Sequence, residues 1–554
     1  MKLPVVLIAL LIGPGLLILF STAQAEEKNL PVKDLVLPGE SFLLDGHPAF
    51  ILWPSADKRQ EPQPWVLYAP TLPAYPDQHE KWMHQQLVDA GVAVAGIDVG
   101  EAYGSPAAQE AFSRLYAELT EKRGFAKKPC LLGRSRGGLW VSSWAIRNAD
   151  KVAGIAGIYP VFDLRTYPGL QRAAPAYGLS AEELEKSLDE HNPISQVHRL
   201  ATAKVPVYII HGNEDRVVPL QENSQTLANT YQTAEAAESL ELIVPQGQGH
   251  NFWPGFFHCQ SLVDFTIDRA RVGAGLKPLR QPGSLPRDQA VVYRDLPYGQ
   301  TDGTPHLLDL YYPANTTGPV PVVMWVHGGG WKNGSKDRCP ASWLTAHGYA
   351  VASINYRLTD QAQWPAQIDD CRTAVQWLRL NAHEFQLDAK HIGVWGGSAG
   401  GHLAALLGTL EAPAGEEISS RVQAVCDWYG PSDLLTMPPN VVGNGRTAAD
   451  VAKSNGAQLL GAPVPDIPER AKQASAYYQV SQDDPPFLIM HGSQDPGVPL
   501  AQSQKLHDKL RAVGVPSTLH IVEGARHGGK EFQTPEIRQT ILAFFDQYLK
   551  ASKE

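Results

Sequence analysis

The sequence predicts two consecutive α/β domains, each a mostly parallel sheet covered by helices on both faces. Three observations carry that expectation. The chain has 554 residues, beyond the roughly 250–300 at which a single hydrophobic core stops growing. Short β-branched runs alternate with longer amphipathic ones, the pattern of parallel strands buried between helical layers. The pattern G-x-S-x-G occurs in each half, around Ser135 in LLGRSRGGLW and around Ser398 in VWGGSAGGHL.

The chain opens with Lys2 and an apolar run over 5–20, followed by STAQAEE, in which Ala23 and Ala25 form an A-x-A cleavage site. This is the pattern of an export signal, so a signal peptide is expected over 1–25, cleaved near Ala25, with the mature protein periplasmic or secreted. The rival, an uncleaved anchor, needs about 20 apolar residues to span a bilayer, and Gly13-Pro14 interrupts a shorter run. No cysteine precedes Cys130, which leaves no residue for lipid attachment. No stable membrane insertion is expected after cleavage.

The first domain is expected over 35–272. PWVLYAP, VAVAGIDV, KPCLLG, VAGIAGIYP, VPVYIIHG and LELIVP read as strands, while residues 78–90 and 107–123 have helical periodicity. GAGLKPLRQPGSLPRD is rich in Gly and Pro and aperiodic, and is the expected linker over 273–290. From Val291 the alternation restarts with LLDLYYP, PVVMWVHG, AVASINYRL, HIGVWGG, VQAVCDWYG, PFLIMHG and STLHIVEG, giving a second domain over 291–554.

Composition narrows the function. With 43% hydrophobic and 19% charged residues the chain is an ordinary globular protein, and its formal charge of −10 comes without a Lys/Arg block. Nucleic acid and anionic membrane surfaces both need a basic footprint and are not expected partners. The five cysteines, Cys130, Cys259, Cys339, Cys371 and Cys426, have no metal-ligand spacing. One bridge such as Cys339–Cys371 is open to an exported chain, with buried free thiols the expected state of most.

The chemistry lies in three landmarks that repeat in one order. In the second half Ser398 sits where a strand turns into a helix, the tight turn that G-x-S-x-G builds. Asp495 follows a later strand in FLIMHGSQDPGVPL, and His527 comes 32 residues after it in LHIVEGARHGGK. Serine, acid and histidine in that order is the order of α/β hydrolases. A serine hydroxyl is a weak nucleophile, so His527 takes its proton and Asp495 orients the imidazole. Upstream, His327-Gly328-Gly329-Gly330 follows a strand, and the amides of Gly329, Gly330 and Ala399 are the expected oxyanion donors.

The segments HGGGWKNG, SINYRL, WPAQIDDCRTAVQWLRLNA, IGVWGGSAGGHLAALLGT and DWYGPSD resemble the bacterial esterases, within the hormone-sensitive-lipase-like hydrolases, that include bifunctional acetylxylan and feruloyl esterases. The resemblance runs from Val291 to the C-terminus. It implies catalytic roles for Ser398, Asp495 and His527 and an oxyanion role for the glycines. It implies acetyl or feruloyl esters on plant cell-wall xylan as substrates, and no metal or organic cofactor.

The first half carries the same landmarks: Ser135, then Asp215 in VYIIHGNEDRVVPL, then His250, 35 residues on, in LIVPQGQGHNF. It lacks HGGG. The matching strand reads WVLYAPTLPAYP, so one oxyanion amide is expected near Thr71 or Leu72 and the other from Arg136. This half resembles the dienelactone-hydrolase and prolyl-oligopeptidase-like hydrolases. An active Ser135 is favoured over a vestigial triad in a binding module, and a peptidase-like activity is the third reading.

Several neighbours have two readings. Trp331, Trp428 and Tyr429 form an acyl pocket or simply pack; Arg357 with Asp369 or Asp370 is read as a structural ion pair and His402 as a packed histidine. Arg134 or Arg136 pairs with a carboxylate, or Arg136 reaches a uronate, as in the Ser-Arg pair of glucuronoyl esterases. The stretches over 163–195 and 433–463 lie between elbow and acid, where insertions cover and shape a site.

Overall fold

A computed structural model describes residues 33–70, 72–279, 290–313, 316, 318–443 and 445–550. The expected signal peptide, Thr71 and residues 280–289 of the expected linker lie outside the described residues. The first sheet is built from β1 (Gly39–Leu44), β2 (His47–Leu52), β3 (Trp65–Ala69), β4 (Ala93–Ile97), β5 (Cys130–Arg134), β6 (Gly154–Ile158), β7 (Val207–Ile210) and β8 (Leu240–Ile243). The second comprises β9 (Ala290–Thr301), β10 (Thr304–Pro313), β11 (Val320–Val326), β12 (Ala350–Ile354), β13 (Leu387–Gly397), β14 (Ala424–Trp428), β15 (Phe487–Gly492) and β16 (Ser517–Val522).

The two sheets share one topology. Their orders are β1-β2-β4-β3-β5-β6-β7-β8 and β9-β10-β12-β11-β13-β14-β15-β16. Each begins with an antiparallel hairpin that pairs antiparallel with the next strand, and the remaining pairs are parallel. The central strands β3, β4, β5, β6, β12 and β14 are buried along their whole length, as strands covered by helices on both faces must be. The hairpin strands β1, β2 and β9 were not among the expected elements. Both hairpins turn on Asp-Gly, Asp45-Gly46 and Asp302-Gly303, with all four residues at positive φ, the backbone of a two-residue hairpin loop.

The sheet also decides the thiols: all five cysteines are free. Cys371 belongs to the core layer that holds Val322, Met324 and Val326, whereas Cys339 packs against the layer that holds Val323 and Trp325. Alternate residues of β11 face opposite sides of the sheet, so a Cys339–Cys371 bridge is ruled out by geometry. Among the described residues no helix is long and apolar enough to cross a membrane.

Candidate active site

Ser398 sits at the end of β13, before the helix Ala399–Thr409. That helix is buried all round, AGGHLAALLGT, and runs close under the sheet. A Cβ on Gly400 would lie 2.0 Å from the Val326 carbonyl oxygen, so glycine alone permits the approach. The tight turn puts Ser398 at φ 57°, a strained region for a non-glycine residue. Its N–H is tied to the Trp428 carbonyl at 2.8 Å.

The hydroxyl of Ser398 lies 2.8 Å from His527 Nε2, and His527 Nδ1 lies 2.6 Å from Asp495 Oδ2. A carboxylate only accepts, so Nδ1 donates to Asp495 and Nε2 is left to accept the serine proton. The other oxygen, Asp495 Oδ1, accepts the N–H groups of Gly497 and Val498 at 2.7 and 3.0 Å. Behind Oδ2 stands His491, its Nε2 3.3 Å away and donating to the Val498 carbonyl at 2.8 Å, its Nδ1 2.6 Å from Ser503 Oγ. Burial alone would raise the Asp495 carboxyl, but hydrogen bonds from His491, His527 and the two amides outweigh it and hold it below the usual carboxylate range.

A cavity of about 640 Å³ opens at Ser398. Gly329, Gly330 and Ala399 line it beside the serine, as do Trp331, Trp428 and Tyr429. Among the described residues none of the three expected oxyanion amides donates to another backbone carbonyl outside the helices and strands. Trp331 both lines the cavity and packs: its Nε1 donates to His402 Nδ1 at 3.2 Å, and His402 Nε2 donates to the Ala474 carbonyl at 2.7 Å. Burial pushes His402 down to about 4, fitting a packed histidine. Tyr429, at φ 44°, has its ring tilted 57° to that of His527 at 4.8 Å, and burial pushes its hydroxyl up to about 12. The 433–463 stretch contributes Met437, Pro439, Asn440, Asn455 and Gly456 to the cavity wall, residues that no local signal marks. Arg357 grips Asp370 with two nitrogens at 2.9 and 2.6 Å, a structural pair.

The first domain repeats this arrangement. Ser135, at φ 51°, follows β5, and its N–H donates to the Ile158 carbonyl at 2.9 Å. Its hydroxyl lies 2.8 Å from His250 Nε2, and His250 Nδ1 lies 2.7 Å from Asp215 Oδ2. Asp215 Oδ1 accepts from Val217 and Val218 at 2.9 and 2.8 Å. His211 stands in for His491, donating to the Val218 carbonyl at 2.8 Å with Ser224 Oγ 2.7 Å from its Nδ1. Burial opposes ionisation of Asp215, yet the bonds from His211, His250 and Val218 hold it low, as in Asp495.

Two features set this site apart. Where Gly397 precedes Ser398, Arg134 precedes Ser135; its guanidinium is buried and paired with Asp77 Oδ2 at 3.0 Å and Glu80 Oε2 at 2.9 Å, while Tyr68 donates to Glu80 at 2.7 Å. Arg136 pairs with Glu101 and lies over the Tyr167 ring, so both arginines have carboxylate partners and the uronate reading has no unpaired guanidinium to rest on. For the oxyanion, the Arg136 N–H has no backbone acceptor among the described residues. Leu72 is fixed through its carbonyl, which accepts from Lys33 Nζ at 2.5 Å; that ammonium also pairs with Asp98 at 2.9 Å.

Two family models match the chain, BD-FAE over residues 308–510 and the prolyl oligopeptidase family over residues 109–257. Esterase LipQ of Mycobacterium tuberculosis is 33% identical over 325 residues, covering 56% of this chain and 74% of LipQ. Esterase LipC of the same organism is 33% identical over 270 residues, covering 45% of this chain and 64% of LipC, so the chain spans a little under two thirds of that relative. A solved truncated carbohydrate esterase from gut microbiota is 28% identical, covering 48% of this chain and 99% of that one, with a TM-score of 0.43.

Proposed function

The chain belongs to the α/β hydrolases, with a prolyl-oligopeptidase-type domain followed by a BD-FAE-type esterase domain, and from that premise we propose a serine carboxylic-ester hydrolase with one reactive serine per domain. The observation that carries the reading is the unbroken chain Ser398–His527–Asp495, at 2.8 and 2.6 Å, facing the 640 Å³ cavity. In this reading Ser398 Oγ attacks the ester carbonyl as its proton passes to His527 Nε2. The oxyanion is met by the N–H groups of Gly329, Gly330 and Ala399, each contributing about 3 kcal/mol. The C–O bond to the leaving group then breaks as His527 returns the proton to the departing alcohol. Water, deprotonated by the same imidazole, attacks the acyl-serine and frees the acid.

For the substrate we propose acetyl or feruloyl esters of plant cell-wall polysaccharide. The motif resemblance of the second half supports this, as does a cavity in the usual size range for small-molecule sites with Trp331, Trp428 and Tyr429 on its wall. The proposal includes export, with cleavage near Ala25; an intact mass of the exported protein starting at Glu26 supports it, and a retained N-terminus refutes it.

The second reactive serine rests on the match between the sites, where the paired distances differ by no more than 0.1 Å. The competing readings are an inactive N-terminal module and a peptidase-like activity. Methyl ferulate, acetylated xylan and an aminoacyl anilide, offered to wild type, Ser135→Ala and Ser398→Ala, separate them. Ester hydrolysis that each substitution lowers and neither abolishes supports the reading, whereas ester hydrolysis that Ser398→Ala abolishes and Ser135→Ala leaves intact supports the inactive module. Anilide hydrolysis without ester hydrolysis overturns the reading.

A further inference from the structure

The two histidine loops are built on the same plan but held in different ways. His527 is carried by contacts within its own domain. Gly524 donates to Ser493 Oγ at 2.8 Å, Gln494 donates to the Ala525 carbonyl at 2.9 Å, and Phe532 packs 4.9 Å from Tyr429 and 5.2 Å from Trp428. His250 has the counterparts of these contacts within its own domain, Gly247 donating to Asn213 Oδ1 at 2.7 Å and Phe256 packing 4.9 Å from Tyr159, and in addition two anchors on the other domain.

The first anchor is Gln248, two residues before it. This buried side chain donates through Nε2 to the Glu384 carbonyl at 2.6 Å. Its own carbonyl accepts the Glu214 N–H at 2.9 Å, which links the histidine loop to the residue beside Asp215. Asn251, just past the histidine, donates to Gln248 Oε1 at 3.3 Å. The second anchor is Trp253, whose ring lies 5.3 Å from Tyr293 and 5.2 Å from Phe385. The chain that follows is stitched to β9. Arg294 donates to the His258 carbonyl at 3.1 Å and His258 Nδ1 donates to the Arg294 carbonyl at 2.9 Å, while Trp82 Nε1, from the helix Lys81–Asp89 of the first domain, donates to Asp295 at 3.0 Å.

We propose that the second domain holds His250 in register with Ser135, so that the N-terminal site is complete only with the C-terminal domain docked against it. This rests on the reading of Ser135 as a reactive serine. The dependence runs one way. Phe385 lies before β13, at the end opposite Ser398, roughly 35 Å of strand away, and the residues that line the Ser398 cavity belong to its own domain. Gln248, Trp253 and Phe385 are positioning residues: they touch no reacting atom and act through the loop that carries the imidazole.

Phe385→Ala and Gln248→Ala, each made in the full chain, test this with two readouts. One is the rate at which a fluorophosphonate labels each serine, read by peptide mass; the other is amide hydrogen exchange over 245–253 compared with 523–530. The expected result is a fall of about tenfold or more at Ser135, since displacing a catalytic group by about 1 Å can cost up to about a hundredfold. Ser398 labels at its original rate, exchange rises over 245–253 alone, and Phe385→Leu, which keeps apolar bulk, recovers most of the Ser135 rate. Unchanged labelling and exchange overturn the proposal. So does an equal fall at both serines with both loops loosened, which is general destabilisation. If wild-type Ser135 takes no label, the two-serine reading fails, while the exchange comparison still decides whether the second domain holds the loop.

Discussion

Replacing Asp495 by Asn should abolish the Ser398 site by reversing one hydrogen bond. Asp495 Oδ1 is fixed by two donors, the N–H groups of Gly497 and Val498 at 2.7 and 3.0 Å. An asparagine must place its carbonyl oxygen there, because its amide nitrogen cannot accept. The NH₂ group then occupies the Oδ2 position, 2.6 Å from His527 Nδ1, and Nδ1 has to accept. The proton moves to Nε2, which faces Ser398 Oγ at 2.8 Å and can no longer take the serine proton. Fixing the wrong tautomer of a triad histidine costs about 10⁴-fold in kcat, equivalent to about 5.5 kcal/mol of barrier. The assay is ester hydrolysis by Asp495→Asn in a Ser135→Ala background, where the second site alone reports. A loss below about tenfold would mean that His527 keeps its tautomer without the carboxylate.

Other predictions follow from the same contacts. Burial pushes Asp427 up to about 6, so between about pH 4 and 6 the folded state keeps a proton that the unfolded chain has lost. Wild type should therefore lose up to about 3 kcal/mol relative to Asp427→Asn as pH rises through that window, and urea unfolding at pH 4 and pH 8 measures it; a pH-independent difference refutes it. Arg134→Met leaves Glu80 and Asp77 uncompensated in a buried cluster and should destabilise the first domain by about 3–5 kcal/mol; denaturant unfolding that shifts by less than about 1 kcal/mol contradicts the pairing. Gly329→Ala, at φ 113° and with its Cβ 2.1 Å from the Asn333 carbonyl oxygen, should displace the oxyanion loop. Its kcat in a Ser135→Ala background should fall about 10²–10³-fold, and near-normal turnover would remove Gly329 from the oxyanion site.

Much of this architecture is legible in the sequence because its signals are local. Fully buried strands read as unbroken apolar runs, and the candidate side chains stand just past strand ends, at Ser398, Asp495 and Ser135. Three of the four hairpin strands, β1, β2 and β9, escape the sequence for a local reason too. Strand β1, GESFLL, is half polar and largely exposed, so no apolar run announces it, although Asp45-Gly46 and Asp302-Gly303 are strong turn signals. What the sequence could not convey is pairing over distance. Arg134 meets Asp77 from 57 residues away, Asn455 reaches the Ser398 cavity from the intervening insertion, and Gln248 finds Glu384 across 136 residues. The duplicated histidines His211 and His491, which brace the two aspartates, stood in plain view in VYIIHG and FLIMHG. Their meaning emerges only when Nε2 is seen beside each carboxylate.

The central claim, one reactive serine in each domain, is tested most directly by titrating the purified protein with a fluorophosphonate and reading intact mass for wild type, Ser135→Ala and Ser398→Ala. Two adducts on wild type and one on each variant are expected. A single wild-type adduct that disappears with Ser398→Ala would contradict the claim and leave Ser135, for all its 2.8 Å contact with His250, an elbow without reactivity.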